Sequence, residues 1–169
     1  MKELFHRTSI RKFTAEPVAR EELLTILRAG MQAPSATNQQ PWEFYVVSDR
    51  QTLKDLAGAS PYGAFTADAA AAIVCCYRTD VRVPQFCEID CAICMENIWL
   101  ATDSLGLGGT WIGIAPLADR MAAVEKILDI PEICTPSPSS RWAIRQKKKP
   151  SRIVSRNRAS IGAERLSAL

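Results

Sequence analysis

The chain has 169 residues, a formal net charge of +3, 47% hydrophobic and 23% charged residues. That length suits one domain with a real core, and the composition is that of a globular chain rather than a disordered or fibrous one. No apolar run approaches the roughly 18–20 residues of a membrane span, and the N-terminal MKELFHRTS carries no signal-peptide pattern, so a cytoplasmic protein without a membrane partner is expected.

In chain order, residues 2–7 suit a short helix. PVAREELLTILRAGMQAP follows, with Leu23, Ile26, Leu27 and Met31 on one face at helical spacing and Pro34 marking the end. WEFYVVS reads as a strand from its aromatic and β-branched content, RQTLKDLAGAS as a short amphipathic helix, and AAAAIVCCY as a buried strand. PQFCEIDCAICMENIWLATDSLGLG is the longest helix, stopped at Gly106 and Gly108. GTWIGIA is a strand entered through a glycine turn, and LADRMAAVEKILDIP is a last helix. Helices and strands alternate, which leaves α/β and α+β both open.

Six cysteines are present: Cys75, Cys76, Cys87, Cys91, Cys94 and Cys134. The spacing Cys91-x-x-Cys94 invites a metal or redox reading. Against it, Cys87, Cys91, Cys94, Ile98, Ala101 and Leu105 step by four and three residues, which is one buried stripe of a helix, and a free cysteine packs as a small hydrophobe. Core packing is the expectation, and no metal site is expected.

Three segments carry possible chemistry. In HRTSIRKF, Arg7 and Arg11 flank Ser9, so two rigid forks of donors and a hydroxyl suit a phosphate; a solvated basic N-terminus is the bland alternative. In APSATNQQPWEF, two prolines bracket a polar loop that can present Ser35, Asn38 and Gln40 to a ligand, with Trp42 as an apolar wall; a well-capped connection is the alternative. In GLGGTWIG, glycines let backbone approach a ligand closely, but the spacing is not that of a dinucleotide fingerprint and a strand follows it. His6 is the only histidine, so a Ser–His–Asp or Cys–His arrangement within one chain is excluded as an attractive reading. Hard chemistry in such a chain belongs to an organic cofactor, with no side chain expected to act as a catalytic residue.

These segments, in this order and spacing, resemble the nitroreductase family of flavin enzymes: RTSIRKF at 7–13, APSATNQQPWEFYVV at 33–47, ENIWLATDSLGLGGTWIG at 96–113 and ILDIPE at 127–132. The resemblance implies an α+β fold with a central, mainly antiparallel sheet flanked by helices. It implies an intertwined homodimer with two FMN sites at the subunit interface, and the helix over 84–105 is expected near the dimer's centre because Met95 and Trp99 add apolar surface beyond its buried stripe. It implies that Arg7, Thr8, Ser9 and Arg11 hold the FMN phosphate and ribityl side. Pro34, Ser35, Ala36 and Asn38 then approach the flavin from the partner subunit, and backbone at Ile112 and Gly113 borders the reactive edge of the ring. The implied activity is an FMN-dependent oxidoreductase in which NAD(P)H reduces the flavin and a small-molecule acceptor, a nitro compound, a quinone or a related electrophile, then takes the electrons in a ping-pong cycle.

Charge divides the chain. Residues 1–136 hold 12 basic and 17 acidic residues, a net −5; residues 137–169 hold 9 basic and 1 acidic, a net +8. Residues 1–136 are therefore expected to form the FMN-binding domain, C-terminally incomplete, and 137–169 a basic, aberrant tail. The family continues at this point with a strand, a Gly-Tyr-Pro turn and an arginine segment at the FMN phosphate. Back-translation in the shifted frame from Pro136 onward is compatible with such an ending, so one deleted base near that codon accounts for the tail. On that reading the tail does not form the family's C-terminal elements, its removal costs little, and activity is impaired. The alternative is a flavoprotein-like body acting as a binding protein through a genuine basic tail. Such a tail can meet nucleic acid through phosphates, although it lacks the aromatic interleaving of a single-strand binder, which argues against nucleic acid.

Overall fold

A computed structural model describes residues 1–14, 16–132, 134–136, 141–146 and 164–166. Among the described residues there are five α-helices: α1 (Lys2–His6), α2 (Arg20–Met31), α3 (Arg50–Gly58), α4 (Cys87–Ser104) and α5 (Ala118–Leu128). The described residues also form six strands: β1 (Trp42–Val47), β2 (Ala71–Arg78), β3 (Leu107–Ile112), β4 (Cys134–Pro136), β5 (Arg141–Gln146) and β6 (Glu164–Leu166). They form one sheet in the order β3-β5-β2-β1-β6, with β4 also on β2, and every strand pairing is antiparallel. The architecture is α+β, as the family resemblance implies.

Strands β1 and β2 are apolar at most positions because both faces of the sheet are covered; the charged exceptions are Arg78 and buried Glu43, 3.8 Å apart. Phe44, Val46, Ile73 and Cys75 pack on one face with α2 and α4, while Tyr45, Val47, Ala72, Val74 and Cys76 pack on the other with α3 and α5. Strand periodicity puts neighbours on opposite faces, so a sheet between two helical layers favours apolar residues on both. Helix α2 buries Leu23, Ile26 and Leu27 against α4. Its Gly30 lies so close to α4 that a Cβ there would sit 2.7 Å from Ile98 Cγ1. Caps fix the starts of α2 and α3: the Glu22 carboxylate accepts from the Ala19 N–H at 2.9 Å, and Asp49 Oδ2 accepts from the Thr52 N–H at 2.7 Å.

Helix α4 follows a single 3-10 turn at Pro84–Phe86. Cys87, Cys91, Cys94 and Ile98 are shielded from solvent, as the stripe reading expects. The stripe ends earlier than expected. Ala101 is only partly buried, and Leu105, at the C-cap where the chain turns away from the core, is 38% exposed. Met95 is core rather than spare apolar surface; the surplus on this helix and its approach is Phe86, Ile89 and Ile93, at spacings of three and four on one face. Gly106, at φ +76°, makes the turn out of the helix, whereas Gly108 lies inside β3. Strand β3 starts and stops sooner than GTWIGIA suggests because its ladder to β5 runs from Leu107 to Ile112.

Two short stretches beyond Ser137 are strands of this sheet. Arg141–Gln146 lies between β3 and β2, and Glu164–Leu166 pairs with β1. RWAIRQ carries aromatic and branched residues at alternate positions, which is sufficient strand pattern when two open strand edges are waiting for a ladder partner. The Gly-Tyr-Pro turn and arginine segment of the frameshift reading, and most of the basic tail, fall on positions outside the described residues.

Candidate functional site

The N-terminal motif is placed by backbone pairing. Beyond α1 the chain runs along the outer edge of β3, where Ser9 forms a parallel bridge with Gly109 and the Ile10 N–H donates to Gly109 O at 2.9 Å. Thr110 Oγ1 donates to Ile10 O, completing the lock. Two motifs a hundred residues apart in sequence thus become neighbours, and the free edge of β3 is covered.

Arg7 and Arg11 diverge from this strip. The Arg7 guanidinium carbon lies 3.7 Å from the centroid of the Trp99 ring, and its Nε is 3.9 Å from Glu96 Oε1, both on α4. Trp99 in turn meets Trp111 edge-on, with ring centroids 6.3 Å apart. His6 Nδ1, 2.8 Å from Asp103 Oδ2, ties α1 to the same helix. Thr8 is exposed beside this contact. Arg11 instead lines a cleft of about 560 Å³ together with Tyr62, Phe65, Ile112, Gly113 and Arg120. Its guanidinium carbon is 6.0 Å from the Phe65 ring centroid. Among the described residues neither Arg11 nor Arg120 has a carboxylate partner, so the cleft carries two uncompensated positive charges. Aromatic walls with convergent cations suit an anionic ligand that has a flat, apolar portion.

The polar loop is built differently. Pro34 and Asn38 are exposed and Ser35 and Ala36 half-buried, around a 3-10 turn at Ala36–Asn38. Thr37, Asn38 and Gln40 have φ of 53°, 55° and 44°, the left-handed region that non-glycine residues avoid. Cross-links hold that backbone. Ser35 Oγ accepts from the Gln40 N–H at 2.9 Å, and buried Asp90 accepts from the Ala36 N–H at 2.9 Å and from Gln39 Nε2 at 2.6 Å. Gln39 Oε1 accepts from the Val83 N–H at 3.0 Å. No residue of 34–38 lines the Arg11 cleft within the chain.

Of the sequence candidates, then, Arg11, Ile112 and Gly113 come together in one cleft, Ser9 lies on the neighbouring strand edge, Arg7 turns toward α4, and Pro34, Ser35, Ala36 and Asn38 form a separate surface. Tyr62, Phe65 and Arg120 were missed. The first two stand in SPYGAF, where two aromatics within a proline- and glycine-containing segment were a usable signal; Arg120 sits on an ordinary amphipathic helix and gave none. The cysteines carry no chemistry of this cleft. Burial pushes the Cys75 and Cys76 thiols well up, and pushes Cys87 up to about 11, so they stay protonated. Among the described residues no group of three or more His, Cys, Asp or Glu is placed to hold a metal, and no helix is long and apolar enough to cross a membrane.

Sheet, covered edge and cleft define an α+β scaffold shaped for an anionic, partly aromatic ligand. The model of the nitroreductase family matches residues 4–83 and 61–136. A protein of Methanothermobacter thermautotrophicus with the provisional name NADH dehydrogenase/NAD(P)H nitroreductase is 43% identical over 131 residues, 77% of this chain and 69% of that one. A crystal structure under the same provisional name from Parabacteroides distasonis superposes with a TM-score of 0.84 at 30% identity, covering 93% of this chain and 92% of that chain. The NADPH:FMN oxidoreductase of Vibrio harveyi, solved in complex with NAD+, superposes with a TM-score of 0.76 at 27% identity, covering 92% of this chain and 71% of that chain. This chain belongs to the nitroreductase family.

Proposed function

We propose that the chain is an NAD(P)H-dependent flavin oxidoreductase that binds FMN in the Arg11 cleft and reduces nitro compounds, quinones or related electrophiles. The observation that carries this reading is the convergence of Arg11, Ile112 and Gly113 in one cleft on a fold shared with a flavin oxidoreductase. The residues fit the group. The cleft has the volume of a mononucleotide, an uncompensated arginine for its anionic part, and Phe65 and Trp111 for a flat ring.

When bound, FMN supplies a two-electron relay between donor and acceptor. The protein's part is to bind and orient. Arg11 offers donors to the phosphate and ribityl side; Ser9 and Gly109 fix the strand edge from which it projects. Backbone at Ile112 and Gly113 borders the ring without side-chain bulk. Donor and acceptor then use one opening in turn, which gives ping-pong kinetics.

A homodimer completes the site on this reading. The loop at 34–38 lies away from its own chain's cleft, and Phe86, Ile89 and Ile93 leave an apolar stripe on α4 that a second subunit would cover. The test is FMN titration of the purified chain, followed by absorbance and tryptophan quenching. The unsubstituted chain is expected to bind one FMN per subunit. Arg11→Ala is expected to weaken binding at least about tenfold, since a charge-assisted hydrogen bond contributes roughly 1.5–3 kcal/mol. An unchanged dissociation constant removes Arg11 from the site.

A further inference from the structure

Gln40 closes the polar loop, and both of its peptide groups are tied. Its N–H donates to Ser35 Oγ at 2.9 Å, and its carbonyl accepts from Arg78 Nη2 at 3.2 Å. Between these two bonds lies a Cα at φ 44°, a left-handed conformation that a glutamine keeps only where its surroundings impose it. The main chain of Arg78 is anchored at the same place, its N–H donating to Pro41 O at 2.9 Å. One residue at the end of β2 therefore holds the junction of loop and β1 through its backbone and again through its guanidinium.

A long, half-exposed side chain needs a reason to stay in one position, and Glu43 on β1 supplies it. Glu43 is 7% exposed; its Oε1 lies 3.8 Å from Arg78 Nη1, and its Oε2, shielded from solvent, has no hydrogen-bond partner. A carboxylate taken out of water is costly without a countercharge, and among the described residues Arg78 is the cation that pairs with it. Swinging the guanidinium into solvent would strand that carboxylate, so Arg78 is kept over the loop. The consequence falls on half-buried Ser35. Its Oγ accepts from the Gln40 N–H, and among the described residues its own hydrogen has no acceptor, so that hydrogen is left to donate outward. Without Arg78 on the carbonyl, Gln40 is free to relax to an ordinary negative φ, which carries its N–H away from Ser35.

We propose that Arg78, backed by buried Glu43, is a positioning residue that fixes the Ser35 hydroxyl, through Gln40, as a hydrogen-bond donor to the flavin. This rests on the flavin-oxidoreductase reading above, and within it on the loop at 34–38 meeting FMN bound by a second copy of the chain. It gives a task in that site to two residues that lie outside both the loop and the Arg11 cleft.

The test uses the full chain with Ser35→Ala, Arg78→Met, Arg78→Lys, Glu43→Gln and the double variant Ser35→Ala/Arg78→Met. FMN dissociation constants are measured by tryptophan quenching, and Tm and Gln40 amide exchange on the FMN-free chain. Ser35→Ala is expected to weaken FMN binding about fivefold, the loss of one neutral hydrogen bond. Arg78→Met is expected to weaken it about threefold and to accelerate Gln40 exchange by about the same factor before any FMN is added. The double variant should bind no worse than Ser35→Ala alone, because a residue that acts through another adds nothing once the other is gone. Arg78→Lys should recover most of the affinity, and Glu43→Gln, which keeps the volume but removes the charge that retains the guanidinium, should lose part of it. An arginine that served stability alone would give losses that multiply in the double variant and follow Tm, and that outcome overturns the proposal. Unchanged FMN binding in Arg78→Met beside a loss in Ser35→Ala overturns this proposal alone. Unchanged binding in Ser35→Ala removes the loop from the flavin, and a full chain that takes up no FMN overturns the parent reading; either result takes this proposal with it.

Discussion

Gln39 and Asp90, from a loop and a helix 51 positions apart, are joined by a 2.6 Å hydrogen bond from Gln39 Nε2 to Asp90 Oδ2. The other carboxylate oxygen takes the Ala36 N–H at 2.9 Å. The loop so held contains three non-glycine residues at positive φ, each a conformation that costs on the order of 1–3 kcal/mol and persists only where its surroundings over-determine it. Asp90→Ala is therefore expected to release the loop while leaving the core of α4 intact. Amide exchange at Ala36 should accelerate at least tenfold, roughly the loss of one hydrogen bond to a charged acceptor, and FMN binding should weaken through Ser35 and Asn38. Unchanged exchange at Ala36 and unchanged FMN affinity would show that the loop holds itself.

The apolar stripe on α4 has a separate consequence. Ile89 is 56% and Ile93 38% exposed, one helical turn apart. Ile93→Lys places a charge on that stripe. Sedimentation at micromolar concentration is expected to show a dimer for the unsubstituted chain and a shift toward monomer for the variant, accompanied by loss of FMN. A monomer that retains FMN would mean that one chain completes the site.

Alkaline pH should destabilise the fold at a definite place. Burial, followed by the nearby Cys91 and Asp90, raises the Cys87 thiol from its ordinary 9.0 to about 11. Burial, followed by Glu88, raises the Tyr77 hydroxyl from 10.0 to about 12. A folded-state value above the unfolded one means that the unfolded chain loses its proton first, so the stability contributed is complete below pH 9 and is lost as pH rises toward 11 and 12. Tm is expected to fall across that range, less steeply in Cys87→Ala. At pH 8 a thiol of this kind is ionised to only about one part in a thousand, so Cys87 in the native chain should react slowly with a disulfide reagent and rapidly in urea.

The C-terminal strands bear on the cost of truncation. Among the described strands, β5 alone links β3 to β2, pairing from Leu107 to Ile112 on one side and from Ala71 to Ile73 on the other. Deleting residues 137–169 is expected to lower Tm by several degrees and to loosen the β3 edge on which Ser9 and Arg11 are mounted. Replacing the same residues with the shifted reading frame should raise Tm and tighten FMN binding relative to the chain as it stands. Equal melting temperatures for the full and truncated chains would show that β5 adds nothing to the sheet.

Local patterns in the sequence were sufficient to determine the helices, the two buried central strands and the burial of Cys87, Cys91, Cys94 and Ile98, because periodicity and caps act over neighbours in the chain. They also marked the three segments from which the cleft and the loop are made. Only the tertiary structure decided how those segments meet. Arg7 and Arg11 are four residues apart, yet one packs on Trp99 and the other enters the cleft, since side-chain direction depends on what lies beyond the strip they share. Tyr62, Phe65 and Arg120 join Arg11 through the sheet order, with no short-range signal that they share a wall. RWAIRQ, read in isolation as part of a charged tail, becomes a central strand because a ladder position between β2 and β3 supplies backbone partners, a long-range condition that composition and local pattern do not report.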